Sequence, residues 1–160
     1  MTDSEETETQ GTFLVTAADE DSAVLKDVTD GQVHTLSSNP GIESDDAVAG
    51  TVAPDPPLNV SWQLVDIERR WQLSLERSDE QPTSLARDIA AEQSVGDITR
   101  KERAGTGEIH VVTVPEETTE QAVDDVVEDR ETTLSRAARL GVARVEIRSE
   151  PGVVVVRYMP

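Results

Sequence analysis

Gly107-Glu108-Ile109-His110-Val111-Val112-Thr113-Val114-Pro115 is the stretch on which the fold turns. A short apolar run between a Gly-Thr-Gly turn and a proline reads as a buried strand. Pro115 lacks the N–H that a continuing ladder would need, so the strand stops there. Just upstream, Ala104-Gly105-Thr106-Gly107 reads as the hairpin turn leading in from a strand within 97–103. The expected placement is an inner strand, flanked on one side by 97–103 and on the other by a C-terminal hairpin.

The segments C-terminal to Pro115 supply its cover. Thr118-Thr119-Glu120-Gln121 fits a capping box. Ala122, Val123, Val126 and Val127 then make one apolar stripe, with Asp124, Asp125 and Glu128 facing water. A second helix carries Leu134, Ala137, Ala138 and Leu140, and Gly141 suits the left-handed position at its end. Ala143, Val145 and Ile147 alternate with Arg144, Glu146 and Arg148, the pattern of a half-buried strand. Pro151-Gly152 suits a type II turn, after which 153–158 pairs back. Were strands 109–114 and 142–147 neighbours, the crossover between them would be right-handed.

Upstream, residues 1–10 read as a disordered acidic tail. Residues 11–77 break into short strands: 12–16, 23–28, 32–36 and 47–52, with turns at Asp30-Gly31 and Asn39-Pro40-Gly41. Two longer strands come next, one with Val60, Trp62 and Leu64, the other with Trp71, Leu73 and Leu75. Glu68-Arg69-Arg70 is read as the turn between them. The expected core is Leu14, Val24, Val33, Val48, Val52, Trp62 and Trp71, or their register partners. Gly41-Ile42-Glu43-Ser44-Asp45-Asp46-Ala47-Val48-Ala49-Gly50-Thr51-Val52 resembles the loop and strand of small OB- or SH3-like barrels, with Asp45 where a glycine is usual. Residues 78–82 read as a linker and 83–160 as a second domain, opening with a helix capped by Thr83 or Ser84 and carrying Leu85, Ala86, Ile89 and Ala90. The fold class is α+β: a small antiparallel β-barrel-like module, then a β-sheet packed by about three helices.

Composition narrows the setting. Among 160 residues, 33 Asp and Glu face 14 Lys and Arg, for a formal charge of −19. The lysines are Lys26 and Lys101 alone. Such a charge repels itself in dilute buffer, and molar salt shortens the screening length to about 3 Å. The composition therefore points to a salt-rich cytoplasm. With no cysteine, thiolate metal sites and thiol nucleophiles are excluded. No apolar run has the length of a membrane span, and the acidic start is unlike a signal peptide, so the expected location is cytoplasmic, without a membrane partner.

No pattern of residues demands catalysis. His110 and His34 titrate in the useful range, yet neither has a sequence partner that singles it out, and both read as strand residues. There is no His-x-x-x-His or calcium-loop spacing, and so no expected metal. Gly105-Thr106-Gly107 lacks the length and the lysine of a phosphate loop, no serine sits in a nucleophile elbow, and no cofactor is expected. The basic residues gather late. Arg100, Lys101, Arg103, Arg144 and Arg148 form a candidate binding face, with Arg136 and Arg139 near it in sequence. The net charge opposes nucleic acid, and high salt erodes counterion-release binding.

Taken together, the segments starting Gly11-Thr12-Phe13-Leu14, Glu102-Arg103-Ala104-Gly105-Thr106-Gly107 and Ala137-Ala138-Arg139-Leu140-Gly141-Val142, with the ending Val156-Arg157-Tyr158-Met159-Pro160, resemble an uncharacterised family of small acidic haloarchaeal proteins described only as a domain of unknown function. The resemblance implies a halophilic archaeal cytoplasm and no site residues. The expected role is a non-enzymatic binding or assembly module with a protein partner. Two others stay open: a nucleic-acid-associated protein using the barrel or the arginine face, and an enzyme with His110 or His34 in a cleft.

Overall fold

A computed structural model of the chain describes residues 8–160, so most of the expected tail lies outside the described residues. The chain divides into two compact units, one ending at Leu73 and one spanning Ser74–Pro160.

The first unit is a closed barrel of β1 (Thr9–Ala18), β2 (Ala23–Asp27), β3 (Val33–Leu36), β4 (Asp46–Pro54) and β5 (Trp62–Gln72). The order is β1-β2-β3-β5-β4, closed by β1 pairing with β4. β1 takes in Thr9 and Gln10, two residues that composition assigned to the tail. Closure through a parallel β3–β5 contact at Leu36 and Trp62 is the OB-like arrangement of the two expected. Extra, unpaired residues at Thr16 in β1 and at Val65 and Glu68 in β5, opposite Gly50–Thr51 of β4, bend β1 and β5 around the core. Asp45, in the expected glycine position, adopts φ 69° and makes the turn itself, as Asp tolerates.

Phe13, Val15, Ala23, Leu25, Leu36, Ile42, Val48 and Val52 fill the barrel, with Trp62 and Leu64 packed against them. Each fully buried Val, Leu, Ile or Phe side chain among them is worth about 1.5–3 kcal/mol. Val33 is 57 % exposed and does not join the core. The Asp30-Gly31 turn sets a register in which His34 lies opposite buried Leu25, and Val33 opposite Lys26. One residue of register exchanges faces, so His34 and Leu36 point inward. Glu68-Arg69-Arg70 is not a turn; it lies within the long β5, which pairs with β4 along its length.

The second unit begins earlier than the 78–82 linker suggests. β6 (Ser74–Arg77) pairs in parallel with β9 (Arg144–Glu150), so Leu75 belongs to the second core. The remaining elements are α1 (Ser84–Glu92), β7 (Ile98–Glu102), β8 (Glu108–Thr113), a 3-10 turn (Glu116–Thr118), α2 (Thr119–Glu128), α3 (Arg130–Leu140) and β10 (Val153–Met159). The sheet order is β6-β9-β10-β8-β7. β8 is an inner strand between β7 and β10. It is not a neighbour of β9, because the C-terminal hairpin inserts β10 between them.

Thr83 caps α1, accepting from the Ala86 amide, and Gly141 ends α3 at φ 75°. The capping box at 118–121 does not form. Thr118 Oγ1 donates to the Pro115 carbonyl, and Thr119 Oγ1 donates to Glu116 O while accepting from the Gly152 amide. The 3-10 turn thus occupies both hydroxyls. One face of the sheet is covered by α1, where Ala86 and Ala90 meet Val111 and Val155. On the other, α2 sets Val123 against Ile147 and Val154. α2 and α3 lie over β6, β9 and β10, leaving the β8–β7 side of that face less covered.

Candidate functional site

Period two along β8 places Glu108, His110 and Val112 on one face, the face of α2 and α3. Antiparallel pairing sets Tyr158 and Val156 of β10 opposite Glu108 and His110. The imidazole of His110 packs against the Tyr158 ring, centroids 4.9 Å apart and planes at 51°. Nε2 of His110 lies 2.9 Å from Glu108 Oε1. The same oxygen accepts from Nη2 of Arg136, reaching down from α3, at 2.8 Å. A carboxylate can only accept, so Nε2–H donates, and the lone pair of the neutral ring sits on Nδ1. Nδ1 makes no hydrogen bond with any described residue, and it is not sealed from solvent.

His110 is only 6 % exposed, and that exposure opens into a pocket of about 290 Å³. Ile98, Val112, Val126 and Val156 form its apolar wall; Tyr158, Thr133, Asp125 and Asp129 complete it. It lies where α2 and α3 stop covering the sheet. Burial lowers the His110 pKa, only partly countered by the bond to Glu108, so the ring is neutral at pH 7. The bonds from His110 and Arg136 hold Glu108 below the usual carboxylate range. Burial raises the Tyr158 phenol, which keeps its proton.

His34, the other histidine, has no such outlet. It is fully buried in the barrel, edge-on to Phe13 at 5.6 Å and to Trp62 at 4.4 Å between centroids. Neither ring nitrogen has a hydrogen-bond partner among the described residues, and burial lowers its pKa. It is a core residue.

The candidate arginine face divides. Arg100 and Lys101 lie on β7 and Arg103 follows it; Arg144 and Arg148 lie on β9, with β10 and β8 between the two groups. Arg103 donates to the Thr106 carbonyl and Arg144 to that of Pro160. Arg148 is occupied by Glu146 at 2.6 Å and Glu80 at 2.7 Å. Glu146 also takes Arg157 at 2.8 Å. Burial works to raise its pKa, but the two guanidiniums outweigh it and bring Glu146 below its ordinary value.

Gly105-Thr106-Gly107 is a hairpin turn, with φ 95° and 113° at its glycines. Among the described residues no three His, Asp or Glu side chains converge as a metal site, and no helix is long and apolar enough to cross a membrane. Glu108 could have been singled out in the sequence, since it sits two residues from His110 on one strand face. Arg136, Tyr158, Asp125 and Asp129 arrive from other elements and leave no local signal.

No curated protein and no solved structure matches the chain. A family model described as "Family of unknown function (DUF5812)" matches residues 9–149. That span is most of the chain, and it takes in the barrel, the pocket helices and most of β9; the chain belongs to the DUF5812 family.

Proposed function

We propose that the protein is a non-enzymatic binding module of a salt-rich archaeal cytoplasm, and that its C-terminal unit holds a small ligand at His110. One observation carries this reading. A nearly buried imidazole is fixed through Nε2 by Glu108, and its free Nδ1 lies beside a pocket with apolar walls and few polar groups. Ligand sites have this make-up. The acid excess supports the salt-rich setting.

The test is a ligand-observed NMR screen of small polar metabolites in molar KCl, run beside Val126→Trp, which fills the pocket. Hits lost in the variant support the reading. No hits, or hits that all survive the substitution, overturn it.

An enzymatic reading draws on the same dyad, since a carboxylate that fixes one imidazole nitrogen leaves the other oriented as a base. Turnover of a screened compound that is lost in His110→Gln would favour it over simple binding. Nucleic-acid binding has less support. The arginines do not gather into one face, and the barrel offers no free aromatic platform for a base: Phe13 is buried, Trp62 packs on the core and Trp71 lies under Arg69.

A further inference from the structure

We infer that the pocket beside His110 is built for a small organic ammonium ion, an apolar body ending in a positively charged N–H group. The inference rests on the pocket reading above and adds the ligand's chemical class.

The polar inventory of the lining decides it. His110 Nδ1 is an acceptor, because the ring is neutral and its one proton is committed to Glu108. Asp125 and Asp129 offer carboxylates, which only accept. Asp125 Oδ1 takes a neutral amide proton from Gln121, and no ion pair from the described residues reaches either aspartate. The Thr133 hydroxyl proton is already given to the Asp129 carbonyl. Tyr158 alone keeps a proton to donate. The lining thus has many acceptors and one donor, so its ligand must bring the donors.

Charge points the same way. No basic side chain lines the pocket. Arg136 is next to it, but its charge is spent on Glu108 at 2.8 Å. Arg100, across the ladder from His110, lies outside the lining; its charge reaches His110 and Tyr158, but its side chain is exposed and the effect is screened by solvent. An anion would meet two carboxylates and a lone pair. A cation would be attracted by all three, with the Tyr158 ring among the neutral groups around it. The walls of Ile98, Val112, Val126 and Val156 suit a short alkyl body, and about 290 Å³ holds only a compact one. A bare metal ion would need three converging ligands, which are not present among the described residues.

The test uses three probes of one shape: n-butylammonium, n-butanol and butyrate. Each is titrated into ¹⁵N-labelled full-length protein at fixed molar KCl, following the amides of His110, Val112 and Tyr158. Butylammonium is expected to shift these amides with an affinity about five- to tenfold above that of butanol, and butyrate to leave them unmoved. In Asp125→Asn/Asp129→Asn the preference over butanol should vanish. Both positions are exposed and cap no helix through their side chains, so the fold survives the change. Equal or tighter binding of butanol or butyrate overturns the ammonium assignment while leaving the pocket as a site. A butylammonium preference that persists in the double variant also overturns it. If no probe moves these amides, the pocket reading falls too.

Discussion

His110 donates through Nε2–H to Oε1 of Glu108 across 2.9 Å, two residues back on the same face of β8. This contact fixes the tautomer of a nearly buried ring and leaves its other nitrogen as an acceptor. Because Arg136 binds the same oxygen, the carboxylate holds a strand residue and a helix residue in one arrangement. The pocket wall and the α3 contact therefore depend on one side chain.

Glu108→Gln tests that dependence. An amide carries no charge for Arg136 and supplies a weaker acceptor to His110. All three side chains are at most a quarter exposed, so the loss is poorly compensated by water. The expected destabilisation is about 1–3 kcal/mol, read from urea unfolding. The His110 pKa should fall further, because the bond to Glu108 is the main influence raising it. Imidazole ¹⁵N shifts over pH report that directly. An unchanged His110 titration would show that the contact does not act on the ring.

His34→Phe should leave the barrel as stable or make it more so, by up to about 1–2 kcal/mol, because it removes two buried nitrogens that have no partner. The pH dependence gives a second readout. Burial depresses the folded-state pKa of both His34 and His110 below the ordinary value of about 6.5. The unfolded chain therefore takes up protons first as pH falls through that value, and stability declines from there downward. His34→Phe should flatten this decline below about pH 6.5. The separate acid limb, where Glu108 and Glu146 protonate below their ordinary carboxylate values, should remain. A variant with an unchanged slope between about pH 6.5 and 5 would show that His34 is not the buried neutral ring described.

The elements that sequence pattern makes legible are those with a clear period and a matching terminus. β8, α3 and the C-terminal hairpin all combine apolar spacing with a stop or turn at Pro115, Gly141 or Gly152. β3 is harder, because alternation names two faces without saying which is inside; the partner register decides for His34 over Val33. β5 reads as two strands because only Trp62, Leu64 and Trp71 near its ends are partly buried; its exposed middle shows no alternation, and the charged run there looks like a turn. At the site, Glu108 and His110 are within reach of period two. Asp125 and Asp129 are hidden by abundance: in a chain with 33 acidic residues, two that line a pocket look like all the others.

The turn before β8 separates two effects in neighbouring glycines. Gly105 and Gly107 both have positive φ, at 95° and 113°. A Cβ on Gly105 meets nothing within 4 Å, whereas one on Gly107 would fall 2.0 Å from the Tyr158 carbonyl oxygen. Gly105→Ala should therefore cost about 1–2 kcal/mol from backbone strain alone. Gly107→Ala should cost about 3 kcal/mol or more, since strain adds to a clash with backbone that cannot swing aside. It should also shift the Tyr158 and His110 amides, because the clash pushes β10 from β8 at the pocket. Equal losses in the two variants would argue against the close approach of β8 and β10.

The charge of −19 sets the last expectation. Self-repulsion among exposed carboxylates opposes the compact state, and it is screened within about 10 Å at 0.1 M salt and about 3 Å at 1 M. The ion pairs of the second unit respond less, because Glu146, Arg148 and Arg157 are each below a fifth exposed and lie within 2.6–2.8 Å of their partners. Salt should therefore remove more repulsion than attraction. The Tm is expected to rise by about 10 °C between 0.1 and 2 M KCl, equivalent to about 1.5–2.5 kcal/mol for units of this size. Glu146→Gln sharpens the result. It leaves two guanidiniums without their shared carboxylate and should cost about 2–3 kcal/mol, a loss that persists in 2 M KCl because so little of the site is open to ions. If the Tm falls with KCl, or if salt erases the Glu146→Gln defect, then attraction between exposed charges outweighs repulsion and the salt-rich reading of this composition fails.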